Sequence, residues 1–356
     1  MSKSKLVESL SVEERRILIV LRIIEQRPKN PETNEYTINE QVKIKLDLNG
    51  IKTVGNLRFK NQVENWKKSL ISLIEKKLLL LEDGLYSFTD KGRLIGKEVW
   101  TEWASGFYDD LLIRSAESKA HAIFCERVFG KNLYQFNVLD TIQLETMLKQ
   151  LNLQPDDYVL DLGCGLGKVA EYISDVTGAK ILGIDFAQKV IEWIQKQTAT
   201  KKDRLNFQVK NMNNLDYKPE TFDAILAIDT LYFVEDLDIT ISKLKTILKS
   251  GGQLALFWGQ QRKPDESMEI LEPDKTKLAK ALQKASLEFE ATDFTATSRD
   301  MWIREIDAAN DLMEMFKEEG NLDLCEGRII DSKQTMERID NQKQKRYFYH
   351  AWKKGA

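Results

Sequence analysis

A chain of 356 residues is long enough for two domains, or for one domain with a large insert, and its 42% hydrophobic content suffices for a sizeable core. No apolar run approaches the roughly 18 residues of a membrane helix, and Met1 to Lys5 lacks the apolar stretch of a secretory signal. A net charge of −3 excludes a general nucleic-acid binder, and three scattered cysteines (Cys125, Cys164, Cys325) fit a reducing cytoplasm better than a disulfide framework.

Charge is unevenly spread: the first hundred residues carry 19 Lys and Arg against 14 Asp and Glu, a local net of +5. Ser11, with Glu14 at the capping-box position, opens a helix whose apolar face is Ile17, Val20, Leu21 and Ile24, until Pro28 stops it. Beyond a polar loop, Lys29 to Glu35, the pattern predicts a second helix over Thr37 to Leu46. A third over Leu57 to Lys77 turns Val63, Trp66, Leu70, Leu73 and Ile74 inward. Leu78 to Phe88 reads as a hairpin around Asp83-Gly84, and Thr89 to Arg93 starts another helix. Helices followed by a two-stranded wing resemble the winged-helix fold, and Leu85-Tyr86-Ser87-Phe88-Thr89-Asp90-Lys91-Gly92 is similar to its usual ending. That resemblance makes the third helix a candidate DNA reader through Arg58, Lys60, Lys67 and Lys68. Glu64 and Glu75 on the same helix, and the modest net charge, weigh against it.

Residues 101–150 read as a helical cap and linker. Trp100, Trp103, Phe107 and Tyr108 form an expected aromatic cluster, Gly130 a helix C-cap, and Val138 to Leu151 an amphipathic helix.

The centre of the chain is Tyr158 to Gly167. An apolar strand, Tyr158 to Leu162, breaks into Gly163-Cys164-Gly165-Leu166-Gly167, and Lys168 to Val176 continues with helical spacing. Strand, glycine turn and helix form the opening unit of a doubly wound sheet, where backbone must approach a ligand closely. Lys180 to Asp185 is a second strand ending in a carboxylate, placed to accept both hydroxyls of a ribose. A dinucleotide would want pyrophosphate at the helix N-terminus, but Asp161 just before the turn repels it and suits an ammonium group. The cofactor expected is a nucleoside that is cationic at its amino-acid end, which S-adenosylmethionine fits.

Asp161-Leu162-Gly163-Cys164-Gly165-Leu166-Gly167 resembles motif I of class I S-adenosylmethionine-dependent methyltransferases. Phe207 to Leu215 resembles the segment that holds adenine, Phe222 to Asp229 the fourth strand, and Leu248 to Gly252 the turn into the fifth; together these cover roughly residues 151–260. The resemblance implies a cofactor site made of Asp161, Gly163, Cys164, Gly165, Gly167, Asp185, Phe186, Asn211, Met212, Asp229 and Tyr108. Asn211 stands where the family usually has Asp, but its amide can still bond adenine. Residues 101–150 are similar to the lid of small-molecule methyltransferases that act on phosphoethanolamine and glycine derivatives. That places Tyr108 and Tyr134 either at the methionine end of the cofactor or in simple packing. Winged helices fused ahead of such cores often dimerise or cover the pocket, so a homodimer through residues 1–100 is open.

After a fifth strand, Gln253 to Trp258, come a helix near Pro273 and a strand through Phe289. A long helix from Ser298 follows, closed by Gly320, and Tyr347 to Trp352 is the last strand. The long helix turns Trp302, Ile306, Ala309, Met313 and Phe316 inward, and a helical insert over about 261–345 is expected to roof the pocket. The fold class is therefore α/β: a Rossmann-like, seven-stranded methyltransferase sheet over 151–356, with a smaller winged-helix domain over 1–100.

Methyl transfer is an in-line displacement at a sulfonium carbon, driven by positioning and water exclusion. His121 and His350, the two histidines, lie away from the expected site. Asp229 and Tyr232 are the candidate catalytic residues. Asp229 accepts a proton, orients an amine, contacts the cofactor, or caps the next helix; Tyr232 hydrogen-bonds the acceptor or faces the sulfonium. Tyr134, Tyr232, Phe233 and Trp258 are candidate substrate contacts. No base-methylase tetrapeptide, no Pro-Cys nucleophile and no convincing metal cluster is present, which leaves a small-molecule acceptor, amine nitrogen slightly ahead of oxygen or carbon. The alternative is a nucleic-acid-directed protein docking through the winged helix.

Overall fold

The computed structural model describes residues 5–26 and 66–354. The predicted helix over Thr37 to Leu46, and Arg58, Lys60 and Val63, fall outside them. The chain divides into two compact units, Met1–Phe107 and Tyr108–Ala356, with the division inside one helix.

In the first unit, α1 (Lys5–Glu8) and α2 (Val12–Gln26) precede α3 (Trp66–Glu75), the hairpin β1 (Leu79–Glu82) and β2 (Leu85–Phe88), and α4 (Asp90–Glu117), which runs on into the second unit. Ser11 and Glu14 make the reciprocal capping box: the Glu14 amide donates to Ser11 Oγ at 3.1 Å and the Ser11 amide to Glu14 Oε2 at 2.7 Å. Asp83 and Gly84 both have positive φ, 51° and 76°, the turn that a two-residue hairpin with right-twisted strands requires. Trp66, Leu70, Leu73, Ile17 and Leu21 close the core of this unit.

The second unit is a seven-stranded sheet in the order β5-β4-β3-β6-β7-β9-β8. Its strands are β3 (Tyr158–Leu162), β4 (Lys180–Asp185), β5 (Leu205–Val209), β6 (Phe222–Ile228), β7 (Leu248–Gln261), β8 (Glu288–Asp293) and β9 (Gln344–Trp352). The first five pair in parallel, and β9 lies antiparallel between β7 and β8. Parallel strands covered on both faces read as unbroken apolar runs, as Val159 to Leu162 does around Asp161. Side-chain alternation then sorts two cores. Leu160, Ile225, Leu256 and Tyr349 face α9 (Leu237–Ile247) and α10 (Lys277–Lys284). Val159, Leu226, Phe257 and Phe348 face α6 (Thr141–Leu151), α7 (Lys168–Thr177) and α8 (Gln188–Gln197). A third cluster joins α5 (Lys119–Phe129), α11 (Thr295–Glu318) and α12 (Leu322–Asp340).

Several expected boundaries shift. The helix expected from Val138 begins at Thr141, because Asp140 caps it by accepting from the Gln143 amide at 2.9 Å. The fifth strand begins at Leu248, with Gly251 at φ 72° and a register shift between Phe222 and Ala224 absorbing the glycine turn. The aromatic cluster of the cap is divided: Trp103 stacks on Phe107 at 5.5 Å, while Tyr108 meets Phe186 and Phe233. On α11 the buried stripe is Met301, Glu305, Ala309, Leu312 and Phe316, with Trp302 and Met313 only partly buried, because a charged residue occupies the core line. Gly130 ends α5 in the left-handed region, as expected.

Phe257 is fully buried and stacks on Phe348 at 4.8 Å. Phe257→Ala is expected to cost roughly 3–5 kcal/mol of unfolding free energy, read from urea denaturation.

Candidate active site

The crossovers from β3 run one way through α7 and α8 to β4 and β5, and the chain then returns to lay β6 on the other side of β3. That reversal opens a crevice at the carboxyl ends of β3 and β6, where ligands of such sheets bind.

The glycine turn lines it. The amides of Gly163 and Cys164 both donate to Ile184 O, at 2.8 and 3.0 Å, tying the turn to the tip of β4. Gly163, Gly165 and Gly167 have φ of 71°, 50° and 65°. A Cβ on Gly163 would stand 2.6 Å from Thr230 Cγ2, and one on Gly167 2.7 Å from Ile194 and Phe207, whereas at Gly165 the nearest atom is 3.9 Å away. Gly165 is thus required by its backbone conformation and the others also by contact.

Two carboxylates flank the turn. Asp161, 4% exposed, has no hydrogen-bond partner among the described residues. Burial, and secondarily the Asp185 charge, push its carboxyl up to about 7. Asp185 is also raised by burial, but its Oδ2 accepts the Gly165 amide at 3.0 Å and its Oδ1 the Ala187 amide at 2.9 Å. Each of these oxygens keeps a lone pair for a further donor. Met212 packs over Gly163, and Asn211 Oδ1 accepts the Asn213 amide at 2.9 Å. The Cys164 thiol lies against Gly183 and is raised well above its usual range by burial.

Over the crevice, the Tyr108 ring meets the edges of Phe186 at 5.6 Å and Phe233 at 6.2 Å. The adjoining apolar cluster contains Leu112, Leu166 and Val190, with Tyr134 against it. The Asp109 carboxylate accepts the Val190 amide at 3.1 Å, which fixes this part of α4 to the start of α8.

Asp229, at φ 56°, ends β6. Both of its oxygens are taken by Arg346, at 2.5 and 2.9 Å, and Oδ2 also accepts the Val138 amide at 3.1 Å. Asp229 is therefore neither a free base nor the cap of α9, a role Asp236 performs. Tyr232 stacks on Trp258 at 4.7 Å, and its hydroxyl accepts the Gly259 amide. The residue is 44% exposed, yet the atoms crowded round its phenol, with the Asp229 charge second, raise it above its usual range and leave it a donor. Phe233 is 48% exposed at the mouth, while Trp258 is buried and donates to Gln260 Oε1 at 3.1 Å.

Residues 160–256 match the family of methyltransferase domains. Methyltransferase GfsG of Streptomyces halstedii is 29% identical over 114 residues, which is 32% of this chain and 41% of that protein. Phosphoethanolamine N-methyltransferase 3 of Arabidopsis thaliana is 28% identical over 131 residues, 37% of this chain and 26% of that protein. The chain thus spans less than half the length of these relatives. In three dimensions it is similar to Haemonchus contortus phosphoethanolamine N-methyltransferase 2 in complex with phosphomonomethylethanolamine and S-adenosylhomocysteine. There the TM-score is 0.57 and the identity 18%, over 70% of this chain and 60% of that one, a likeness of fold. Residues 160–256 are a class I, S-adenosylmethionine-dependent methyltransferase domain.

Neither histidine is bonded to a carboxylate or hydroxyl of the crevice, although the His121 ring lies 6.5 Å from that of Tyr134. His121 is enclosed on α5 near Cys125 and held by burial down to about 3, and His350 Nε2 bonds Gln253 at the other end of β7. Three residues around the methyltransferase crevice escaped the sequence reading. Arg346 joins Asp229 to Gln143, whose Oε1 accepts from Arg346 Nε at 3.1 Å, and Thr230 keeps a buried Oγ1 without a partner among the described residues, beside Gly163. The only available hint was an arginine entering the aromatic run of the last strand.

Gly165→Ala is expected to lose about 1–2 kcal/mol of stability through its left-handed backbone alone. Gly167→Ala adds a clash and is expected to lose clearly more in the same denaturation assay. A carboxyl raised from 3.8 to about 7 contributes stability that is complete below its unfolded value and is lost as pH rises to about 7. Asp161→Asn should flatten the fall in unfolding free energy over that window.

Proposed function

We propose that the protein transfers the methyl group of S-adenosylmethionine to a small-molecule acceptor, with amine nitrogen slightly preferred over oxygen or carbon. The observation that carries this reading is the Asp161 carboxylate, buried and without a partner among the described residues, beside three left-handed glycines. A buried anion calls for a cation, and an α-ammonium group is one. A pyrophosphate would add negative charge where two acids already stand. Asp185 has lone pairs left for ribose hydroxyls, and Gly163, Cys164, Gly165 and Gly167 offer backbone to the cofactor. Phe186, Asn211 and Met212 would flank the nucleoside, with Tyr108 at the methionine end.

Bound there, S-adenosylmethionine supplies an electrophilic methyl group on a sulfonium, so the acceptor needs only an available lone pair. On the protein's side, Tyr232 can donate a hydrogen bond to the acceptor. The rings of Tyr232, Tyr108 and Phe233 favour a cationic centre by their faces and exclude water. With Asp229 engaged by Arg346 and Tyr232 protonated, neither candidate is a free base, which suits a neutral amine attacking unaided. The N-methylating relative from Arabidopsis supports nitrogen. Trp258 and Tyr134 are read as walls of this pocket. The first unit is read as a packing and dimerisation module, and the free thiols of Cys125, Cys164 and Cys325 suit a reducing cytoplasm.

Incubation with methyl-labelled cofactor and a metabolite extract should yield one labelled small amine. Label on nucleic acid, or none at all, would sink the reading. Asp185→Ala should weaken cofactor binding by roughly 1–3 kcal/mol, the scale of lost charge-assisted hydrogen bonds, measured by calorimetry.

A further inference from the structure

Nine arginines lie in residues 108–354, and seven have a carboxylate within 4 Å: Arg114, Arg127, Arg204, Arg299, Arg304, Arg328 and Arg346. Arg262 and Arg338 have none among the described residues. Both are held by neutral acceptors instead. Arg338 Nε donates to Gln344 Oε1 at 2.7 Å and its Nη2 to Thr335 Oγ1 at 2.8 Å. Arg262 Nη1 donates to the Glu266 carbonyl at 3.0 Å, and its Nε is buried without a partner among the described residues. A guanidinium has five N–H donors, so both keep capacity to spare.

These two residues are also neighbours in the fold. The Lys343 amide donates to Arg338 O at 2.7 Å, and Lys343 O accepts the Arg262 amide at 2.8 Å. One residue thus joins the end of β7, the end of α12 and the start of β9. Gln344, the Arg338 partner, lines a cavity of about 390 Å³ together with Met268, Leu271, Ile339, Gln342 and Lys345, while Arg262 and Arg338 stand next to it in the chain fold rather than on its wall. The same amide reaches the acceptor side of the crevice. A Cβ on Gly259 would lie 3.6 Å from Gln344 Nε2 and 3.3 Å from the Tyr232 hydroxyl. Opposing charge near them is Glu266, whose Oε2 accepts the Lys263 amide at 2.8 Å in the turn after Arg262, Glu272 on the cavity wall, Asp293 at 3.5 Å from Lys345, and Asp331 and Glu337, which act on Arg338 from its own helix; none of them lies within 4 Å of either guanidinium.

We infer that Arg338 and Arg262 bind an oxyanion, the carboxylate or phosphate group of an anionic acceptor, beside the cavity at the carboxyl end of β7. This rests on the methyl-transfer reading for the word acceptor, but the anion site stands or falls by direct binding. Guanidinium forks match planar carboxylates and phosphates in two-pronged contact, and burial without a counter-ion favours an incoming anion. Gln344, held by Arg338 and close to Gly259, then links the anion to the Tyr232 side of the crevice, and the acceptor carries its nucleophile at one end and its charge at the other.

The full-length protein is titrated calorimetrically with inorganic phosphate and, separately, with acetate, each with and without S-adenosylhomocysteine. Saturable binding of at least one anion is expected. Its affinity should fall at least tenfold in Arg262→Gln/Arg338→Gln and stay unchanged in Arg127→Gln. Phosphate binding alone assigns a phosphomonoester acceptor, and acetate binding a carboxylate. Absence of saturable binding by either anion overturns the inference, as does equal affinity in the double variant. Should the double variant fail to fold, Arg338→Lys keeps the charge but loses the fork and should weaken binding several-fold; unchanged affinity would again overturn it. Failure to bind S-adenosylhomocysteine while the anion still binds would fault the methyl-transfer reading and leave the anion site intact.

Discussion

Two carboxylates at the tips of adjacent strands, one satisfied and one not, set the terms for everything around the crevice. Asp185 is held by two backbone amides, whereas Asp161, 4% exposed, is held by none of the described residues. Burying an unpaired ionised acid costs several kcal/mol, and the group responds by keeping its proton up to about pH 7. A fold tolerates such a group where a ligand completes it. The glycine turn beside that acid is tied by two amides to Ile184 O.

The acceptor side depends on a second electrostatic link. Arg346 reaches from the last strand to Asp229 at the end of β6, to Gln143 on α6, and to the Val138 carbonyl. One guanidinium on β9 therefore ties the cap and α6 to the end of β6. Asp229 takes a left-handed backbone within that clamp, and the residues after it inherit their positions: Thr230 against Gly163, Tyr232 on Trp258, Phe233 beside Tyr108. A buried pair of this kind adds little net stability against an apolar substitute, but removing one partner leaves the other stranded. Its contribution is to geometry, and it occupies both Asp229 oxygens.

The sheet and its glycine turn were legible because each rests on local pattern: an apolar run, a turn composition, an acid at a strand tip. The Asp83-Gly84 hairpin and the Ser11 capping box were legible for the same reason. What escaped involved pairing across long sequence separation. Glu305 sits in the buried line of α11 because Arg328 and Ser332, some two dozen residues later, satisfy it; a lone acid in a helical pattern reads as solvent-facing. Asp229 read as a base or cap because Arg346 is more than a hundred residues away. The aromatic run of α4 read as one cluster, since nothing in four neighbouring aromatics says which one faces Phe186.

Proton release on cofactor binding tests the role of Asp161 most directly. Calorimetric titration of S-adenosylmethionine at pH 7, in buffers of different ionisation enthalpy, counts protons exchanged per complex. If Asp161 is half protonated before an ammonium group settles against it, about half a proton should leave on binding, and none in Asp161→Asn. Binding of equal strength with no buffer dependence in the unaltered protein would contradict it.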